Sequence, residues 1–436
     1  MPEAPRSILL GAYRGLTSIG HPLVGPLLAW RLRRGKEDPE RVAERRGIAS
    51  RDRPDGPLVW IHAASVGETI SVVPLIDRIA CGCGLSVLLT TGTVTSAQIA
   101  EARLRELSGR GASVVHQYVP LDGPRFVRRF LDHWRPGLAI FVESEIWPNI
   151  LLQASESGCR LAQVNARMSD RSFARWQKRP AMIRAMLGRF DICLAQSGTD
   201  ADRLRQLGAA NVVDTGNLKY DVPAPEADEA DLRDLSAAVG DRPRWAAASL
   251  HAGEDEPVLE THLHLSPRHR DLLTVLAPRH PERGAEIAAA AAARGLTPVL
   301  RSRGRMPDER TDVYIVDTIG EMGLVYRLAP VVFVGGSLVA SGGHNPIEAA
   351  KLSTAILHGP HIRNTTDIFA ALHAAGAADE VSGAEALAER VGHFLASPED
   401  VSRRARAASA AVLGLSGALD RSMEALAPLL DAARRS

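Results

Sequence analysis

Short apolar segments alternate with amphipathic segments from residue 58 onward, and this alternation dominates the chain. Stretches of helical period, such as Glu68–Ala80 and Ser96–Leu107, lie between apolar segments that have the length of strands. Buried strands separated by helices predict parallel sheets covered by helices, which is the α/β class. The predicted strands are Leu58–His62, Leu85–Thr91, Leu138–Val142, Arg160–Val164, Asp191–Gln196, Trp245–Ser249, Leu272–Ala277, Pro298–Ser302, Val313–Asp317, Val331–Gly335 and Thr354–His358.

The alternation stops once, at Asp221–Arg242, where Pro, Ala, Asp and Glu indicate a linker and a short helix. Because 436 residues also exceed one ordinary core, we expect two βα domains joined near residue 222. The Ala/Leu pattern of Ala405–Ala433 predicts a long terminal helix. The expected organisation is a membrane-associating segment 1–36, βα domains 37–222 and 223–404, and a helical segment 405–436.

Charge and motif content argue against several classes of function. Lys plus Arg total 52 and Asp plus Glu total 51, so the net charge of +1 gives no basic field for nucleic acid. Aromatic residues make up only 4%, too few for base-stacking surfaces. The chain has no H-E-x-x-H, Walker lysine or G-x-S-x-G motif and no G-x-G-x-x-G after its first strand, so hydrolase, kinase and dehydrogenase functions are disfavoured. We expect neither a metal nor a cofactor.

The amino-terminal segment Ile8–Trp30 is mostly apolar, and a basic cluster of Arg31, Arg33, Arg34 and Lys36 follows it. Arg14 and two prolines interrupt the segment, which disfavours a membrane-spanning helix. The charges follow the apolar run rather than precede it, so a signal peptide is disfavoured too. We expect a monotopic or re-entrant element on an anionic membrane surface; the alternative is a buried amphipathic helix with a solvated basic tail.

Polar side chains follow three strands of the first domain, where ligands of parallel sheets bind. The turn at residues 63–68 fits an anion site or, equally, the capped start of a helix. The turn at residues 143–149 adds two carboxylates, a Trp and an Asn, which suit the binding of a sugar. A basic stripe with apolar neighbours, suited to a phosphorylated lipid, continues to Arg184. The candidate acceptor-binding residues are Ser65, Gly67, Glu68, Glu143, Glu145, Trp147, Asn149, Asn165 and Arg167.

The second domain carries candidates for a nucleotide site. Arg279 offers a planar fork for phosphate, and His280 follows it. Gly336 and Ser337 end a strand ahead of Asn345-Pro-Ile-Glu348. That start is typical of a capped helix, with Glu348 in the first turn, and a glycine pair before such a helix is also typical of a phosphate site. Both interpretations of Glu348, capping and ribose binding, stay open.

Taken together, these motifs resemble the 3-deoxy-D-manno-octulosonic acid (Kdo) transferases of lipid A biosynthesis. The resemblance covers nearly the whole chain. Its motifs are WRLRRGKEDPERVAERRG at 30–47, WIHAASVGE at 60–68, ESEIWPN at 143–149, NARMSDRS at 165–172, GNLKYD at 216–221, APRHPER at 277–283, DTIGE at 317–321 and GGSLVASGGHNPIE at 335–348. The sequence departs from the family at Ser353–Ile356, and Glu143-Ser144 replaces the commoner E-T.

The resemblance implies a GT-B glycosyltransferase fold, with two Rossmann-like domains facing a cleft. It implies inverting transfer of Kdo from CMP-Kdo to a tetraacyldisaccharide 1,4′-bisphosphate, the lipid A precursor, without a bound metal. It places the enzyme at the cytoplasmic face of the bacterial inner membrane. It also assigns the general base to Glu44, in Glu44-Arg-Arg-Gly47. The donor residues that it implies are Arg279, Gly320, Glu321, Asn345 and Glu348.

Two other functions remain open at the level of sequence. Another two-domain nucleotide-sugar enzyme, such as a hexose transferase or a UDP-sugar epimerase, would share the fold and would bind UDP rather than CMP. A two-lobed protein that binds a sugar acid without chemistry would share the architecture, although the basic amino-terminal region disfavours it. Neither the number of Kdo residues added nor the acyl pattern of the acceptor follows from the sequence.

Overall fold

The computed structural model describes residues 7–435, which form two compact units. Unit 1 runs up to Val222 and also contains the segment from Ser416 onward, whereas unit 2 comprises Pro223–Leu415. The chain therefore leaves unit 1 once and returns to it for its last helix.

Unit 1 is built on a parallel sheet that has seven strands within the described residues, in the order β3-β2-β1-β4-β5-β6-β7. The strands are β1 (Leu58–Ala63), β2 (Ser86–Thr91), β3 (Val114–Tyr118), β4 (Leu138–Val142), β5 (Arg160–Ala166), β6 (Ile192–Ala195) and β7 (Val212–Asp214). Trp60 packs in one hydrophobic cluster, whereas its neighbours Val59 and Ile61 pack in another. Alternate side chains of one strand are thus buried on opposite faces, as parallel sheets require.

Unit 2 repeats this architecture, with strand order β10-β11-β9-β8-β12-β13-β14 in the described part of the chain. The strands are β8 (Arg244–Leu250), β9 (Leu273–Pro278), β10 (Pro298–Leu300), β11 (Val313–Ile315), β12 (Val331–Val334), β13 (Ala355–His358) and β14 (Ala378–Glu380). All recorded pairings in both sheets are parallel. The carboxyl ends of the strands in each sheet therefore lie along one edge of that sheet.

Helices connect the strands of both units. Those of unit 1 are α1 (Ile8–Ile19), α2 (Val24–Arg33), α3 (Val66–Asp77), α4 (Val94–Gly109), α5 (Pro124–Trp134), α6 (Pro148–Glu156), α7 (Asp170–Gln177), α8 (Pro180–Leu187), α9 (Gly198–Leu207) and α18 (Ala418–Arg434). Those of unit 2 are α10 (Glu229–Val239), α11 (Asp255–Leu265), α12 (Gly284–Ala293), α13 (Met322–Leu328), α14 (Ile347–Lys351), α15 (Thr366–Ala374), α16 (Ala384–Ala396) and α17 (Pro398–Leu415).

The α/β class is confirmed, and every strand expected from the sequence is present to within two residues at each end. Three further strands, β3, β7 and β14, were not expected, because each is short or carries polar residues. The prediction of one long terminal helix over Ala405–Ala433 is wrong, because this segment forms two helices, α17 and α18, separated at Ser416-Gly417. Gly417 has a left-handed φ of 93°, which ends a continuous helix.

The amino-terminal segment forms α1, a 3₁₀ turn at His21–Leu23 and α2. Helix α1 is attached to unit 1 by polar contacts on one side, where the Tyr13 hydroxyl donates to Asp122 Oδ2 at 2.9 Å. Asn149 Nδ2 donates to Thr17 Oγ1 at 3.0 Å on the same helix. Within the described residues, no helix has both the length and the apolar character needed to cross a membrane.

Candidate functional site

The carboxyl edge of the unit 1 sheet gathers three carboxylates. Glu68 lies in the first turn of α3, after β1, whereas Glu143 and Glu145 follow β4. Ser65 caps α3, because its Oγ accepts from the Glu68 amide at 3.4 Å and donates to Glu68 Oε1 at 2.7 Å. Burial raises the pKa of the Glu68 carboxyl, and the negative charges of Glu143 and Glu145 add to this effect. Glu68 is therefore both a capping residue and a carboxylate poised to hold a proton.

Glu143 occupies a strained position directly after β4. Its φ is +53°, which a residue with a Cβ rarely adopts, and such strain is concentrated at functional sites. The Gln163 amide donates to the Glu143 carbonyl at 2.6 Å and helps to hold this conformation. Lys219 Nζ pairs with Glu143 Oε1 at 2.6 Å, so one of the three carboxylates at this edge is neutralised by a cation.

Glu145 lies beside two nitrogen-bearing aromatic side chains, of which one donates a hydrogen bond to it. Trp147 Nε1 donates to Glu145 Oε2 at 2.5 Å, and His62 Nε2 lies 3.4 Å from the same oxygen. Burial opposes ionisation of Glu145, but the interactions with His62 outweigh it, and the pKa of Glu145 is lowered. The edge thus places a carboxyl of raised pKa, Glu68, near one of lowered pKa, an arrangement typical of acid–base sites.

Two predicted acceptor residues are occupied by structural contacts. Asn149 is buried, and its Nδ2 also donates to the Asp122 carbonyl at 2.6 Å. Asn165 is fully buried with φ of +50°, and its Oδ1 accepts from the Leu218 amide at 3.0 Å. Asn149 Oδ1 and Asn165 Nδ2 are buried without a partner among the described residues, and the assignment of both residues to the acceptor site stays a prediction.

The other predicted acceptor residues are accessible. Ser65, Gly67, Trp147 and Arg167 are exposed at the carboxyl edge of the sheet. A Cβ at Gly67 would meet nothing within 4 Å, so this glycine leaves the first turn of α3 open. These residues surround the carboxylates with one hydroxyl, one indole and one guanidinium.

Glu44, the general base implied by the resemblance, lies in a 3₁₀ turn at Val42–Arg46 and is completely buried. Arg41 donates to both of its oxygens, at 2.9 and 3.0 Å, and the Tyr118 amide donates to Oε2 at 2.6 Å. The Ser50 hydroxyl also donates to Oε1. With four donors and no exposed surface, Glu44 is enclosed within unit 1, and its assignment as the general base stays a prediction.

The carboxyl edge of the unit 2 sheet presents the predicted phosphate ligands. Arg279 and His280 follow β9 and are both exposed. Arg279 forms no ion pair with a described residue and is thus available to an anion. Asn345 Oδ1 accepts from the Ile347 amide at 3.1 Å, which closes an Asx turn directly before α14.

Glu348 in α14 does not complete a capping box. Its carboxylate makes no hydrogen bond or ion pair with any residue that the structure describes, and no side-chain cap is formed at the start of this helix. Burial raises the pKa of Glu348. A desolvated carboxylate without a protein partner is costly unless a ligand contacts it, which favours the ligand-binding interpretation over capping.

Gly336 and Ser337 do not offer their amides to a phosphate. Glu254, fully buried before α11, accepts from the amides of both residues, at 2.6 and 2.9 Å. Its oxygens also accept from the amides of Leu338 and His251, each at 2.9 Å. An internal carboxylate therefore occupies these two amides, and the assignment of Gly336 and Ser337 to the donor site stays a prediction.

Glu321 and Gly320 belong to a loop that is fixed from within unit 2. Arg301 holds the Glu321 carboxylate, with Nη2 to Oε1 at 2.8 Å, and the Thr318 hydroxyl donates to it as well. These donors outweigh the effect of burial and lower the pKa of Glu321. Gly320 has φ of +90° and no neighbour within 4 Å of a Cβ. Glu321 therefore positions this open turn.

Sequence reasoning missed His62, Lys219, Glu254, His251 and His344. His251 follows β8 and could have been found by the rule that ligands lie beyond strand ends. Glu254 could not, because three of its four amide partners lie more than 80 residues away along the chain. Among residues 7–435, no three His, Cys, Asp or Glu side chains converge as metal ligands would.

Two parallel seven-stranded sheets with polar groups at their carboxyl edges define a GT-B-type glycosyltransferase fold. A glycosyltransferase from Rickettsia africae shares it, with a TM-score of 0.58, 13% identity, and 86% of this chain and 99% of that chain covered. The sequence model described as 3-Deoxy-D-manno-octulosonic-acid transferase (kdotransferase) matches residues 40–222. The chain is similar to the 3-deoxy-D-manno-octulosonic acid transferases of Bordetella pertussis (36% identity; 97% of this chain, 98% of the relative) and Haemophilus influenzae (36%; 90% and 92%). The chain belongs to the 3-deoxy-D-manno-octulosonic acid transferase family.

The buried contacts of Glu44 predict a structural role. Glu44→Gln removes the buried one of the two carboxylates that pair with Arg41, so we expect a loss of about 3 kcal/mol in the free energy of unfolding. Chemical denaturation measures this loss. The matched control is Glu101→Gln, which removes the half-exposed second partner of Arg41 and should cost less than about 1 kcal/mol. A Glu44→Gln protein of unchanged stability but without activity would restore Glu44 as a candidate base.

Proposed function

We propose that this protein is an inverting glycosyltransferase that transfers Kdo from CMP-Kdo to a tetraacyldisaccharide 1,4′-bisphosphate, the lipid A precursor. Membership of the Kdo transferase family supports the transferred sugar. The observation that carries the mechanism is the cluster of Glu68, Glu143 and Glu145 at one sheet edge, with the pKa of Glu68 raised and that of Glu145 lowered. Sugar transfer needs a base at this point, because a hydroxyl is a weak nucleophile until its proton is removed.

We propose Glu68 as a second candidate proton acceptor beside Glu44; its two oxygens accept from the Ala64 amide at 2.8 Å and from the Ser65 hydroxyl at 2.7 Å. In the proposed step, the acceptor hydroxyl oxygen forms a bond to the anomeric carbon of Kdo from the face opposite CMP. Its proton passes to a Glu68 oxygen, and the bond between the anomeric carbon and the phosphate oxygen breaks, with the electron pair leaving on CMP. A raised pKa makes Glu68 a better proton acceptor than an ordinary carboxylate, and Ser65 orients it.

The donor is assigned to the carboxyl edge of unit 2. Arg279 would neutralise the charge that develops on the CMP phosphate as it leaves, which is a major contribution to such catalysis. Glu348, which has no protein partner among the described residues, would accept hydrogen bonds from the ribose hydroxyls. The first turn of α14 beside Asn345 would add its backbone dipole.

The amino-terminal helices supply a surface for the membrane. Leu16, Ile19 and Leu23 are 70%, 79% and 70% exposed; the first two lie three residues apart on α1, and Leu23 lies in the 3₁₀ turn that follows. These three exposed side chains are called the apolar stripe. Arg33, Arg34 and Lys36 are exposed next to it, whereas Arg31 is paired with Glu37 at 2.6 Å. An apolar stripe beside unpaired cations fits an anionic bilayer, and we propose the cytoplasmic face of the bacterial inner membrane.

Basic side chains on α7 and α8 extend this surface. Helix α8 packs against α1, which brings the two surfaces side by side. The exposed cations on this side are Arg171, Arg175, Lys178, Arg179 and Arg184. They form no ion pair with described residues and are suited to the two phosphates of the proposed acceptor.

A transfer assay tests the proposed function. The protein is incubated with freshly generated CMP-Kdo and the tetraacyldisaccharide bisphosphate, and mass spectrometry of the lipid counts the sugars added. We expect a mass increase of one or more Kdo residues and release of CMP. UDP-N-acetylglucosamine serves as the competing donor, and turnover with UDP-sugars alone would overturn the proposal in favour of a hexose transferase or an epimerase.

The assignment of the base predicts opposite effects of Glu68→Gln on activity and stability. We expect turnover to fall by about 100-fold or more with the donor KM retained. The raised pKa means that ionised Glu68 destabilises the fold at neutral pH, a cost that is absent once pH falls below both its folded and unfolded pKa. The neutral substitution should thus preserve or increase the free energy of unfolding at pH 7. Wild-type turnover in Glu68→Gln would remove Glu68 from the reaction.

Liposome binding tests the apolar stripe. The triple substitution of Leu16, Ile19 and Leu23 to Ser should lower binding to anionic liposomes by more than tenfold, because each buried Leu or Ile contributes about 1.5–3 kcal/mol. Co-sedimentation with anionic liposomes across a salt series measures this binding. The matched control replaces three exposed apolar residues of unit 2, Leu263, Met306 and Leu413, with Ser and should bind as the wild type does. Equal binding of both triple variants would contradict the membrane surface.

A further inference from the structure

Two histidines that follow neighbouring strands of unit 2 are in direct contact. His251 follows β8, and His344 lies in the loop after β12. Their Nε2 atoms are 2.8 Å apart, and the rings are stacked with centroids 5.0 Å apart and planes inclined by 16°. One Nε2 must therefore carry a hydrogen and the other must be bare, so the pair shares one proton.

Cationic groups surround this pair on the side of the strand ends. The His280 ring lies 6.0 Å from the His251 ring and is exposed. Arg279 and Arg283 are close enough to disfavour protonation of His251, and only Glu254 opposes them. The carboxylate of Glu254 is already occupied by four amides, and Arg283 is paired with Asp255 at 3.1 Å. The cluster thus has an excess of donors and lacks an anion.

Burial and these neighbours keep the pair neutral when no ligand is bound. Burial lowers the pKa of His344 to about 4, with further lowering by His251, Arg279 and His280, and it lowers the pKa of His251 as well. An anion placed beside the rings would reverse the electrostatic part of this effect. Either ring could then gain a proton at Nδ1, where neither has a partner among the described residues, while the Nε2–Nε2 hydrogen bond persists.

We propose that the His251–His344 pair is an anion-binding site that takes up one proton when an anionic group of the sugar-nucleotide donor binds. The anionic oxygens would come either from the phosphate of CMP or from the carboxylate of Kdo. This inference rests on the proposed function, since it concerns the same donor. If the carboxylate is the anion, charge uptake at the pair would favour nucleotide donors of an acidic sugar over nucleotide donors of an uncharged sugar.

Calorimetry separates the possibilities. CMP and Kdo are titrated separately into the full-length protein at pH 7 in buffers of different ionisation enthalpy, so that the slope reports protons exchanged. We expect uptake of up to one proton with at least one probe: uptake with CMP assigns the phosphate and uptake with Kdo the carboxylate. His251→Gln and His344→Gln should each abolish the proton uptake and weaken the binding of the probe that caused it by about tenfold or more. The wild-type protein should bind that probe more tightly as pH falls from 8 to 6.

A second histidine pair in unit 2 provides the matched control. His358 and His373 also have their Nε2 atoms 2.8 Å apart, but His358 Nδ1 lies 2.7 Å from the Gly359 carbonyl and is therefore committed as a donor. His373→Gln should retain the full proton uptake. Binding of CMP or Kdo without proton uptake, or uptake that survives in both His251→Gln and His344→Gln, would overturn the inference. A wild-type protein that binds neither probe would instead count against the proposed function.

Discussion

Both sheets are parallel and buried on both faces, and this constraint decides where chemistry is possible. Side chains along the strands are needed for packing, as Trp60 and Ile61 show by filling opposite faces of β1. Polar groups are then accommodated where the strands end, and in a parallel sheet those ends share one edge. Glu68, Glu143 and Glu145 meet in unit 1 for this reason, and Arg279 and His251 meet in unit 2 for the same reason.

The sequence predicts the fold well, because strand burial and helical period are local properties. It predicts the placement of site residues at strand ends for the same reason, and Pro148 begins α6 as its position indicates. It fails for residues whose role depends on a distant partner. The sequence allows Glu44 to be a surface carboxylate or a base. Only the structure shows that Tyr118 and Ser50 donate to its buried carboxylate. The amides of Gly336 and Ser337 look free until Glu254 is seen to occupy them.

Buried carboxylates that accept backbone amides recur in both units. Glu254 fixes the loop after β12, and Asp122 accepts from the amides of Asn149 and Ile150 at the start of α6. Each carboxylate satisfies backbone amides that would otherwise need an anion from solvent. The loop is therefore held in one conformation before a substrate binds. Two left-handed residues lie close to these loops: Glu143, with φ of +53°, directly follows β4, and Ser249, with φ of +59°, lies at an irregularity in the pairing between β8 and β9.

Helix α1 is tied to the start of α6, which directly follows the loop of Glu143 and Glu145. Asn149 Nδ2 donates to Thr17, and the Tyr13 hydroxyl donates to Asp122, whose carboxylate accepts from the Asn149 and Ile150 amides. If α1 lies on the bilayer, it acts as a spacer of fixed length between the lipid surface and Glu145. A single residue inserted after Thr17 would rotate the remaining helix by roughly 100° and advance it by about 1.5 Å. The apolar stripe would then face a different direction while the carboxylates stayed in place, so the protein would be tilted on the membrane without any change in its catalytic groups.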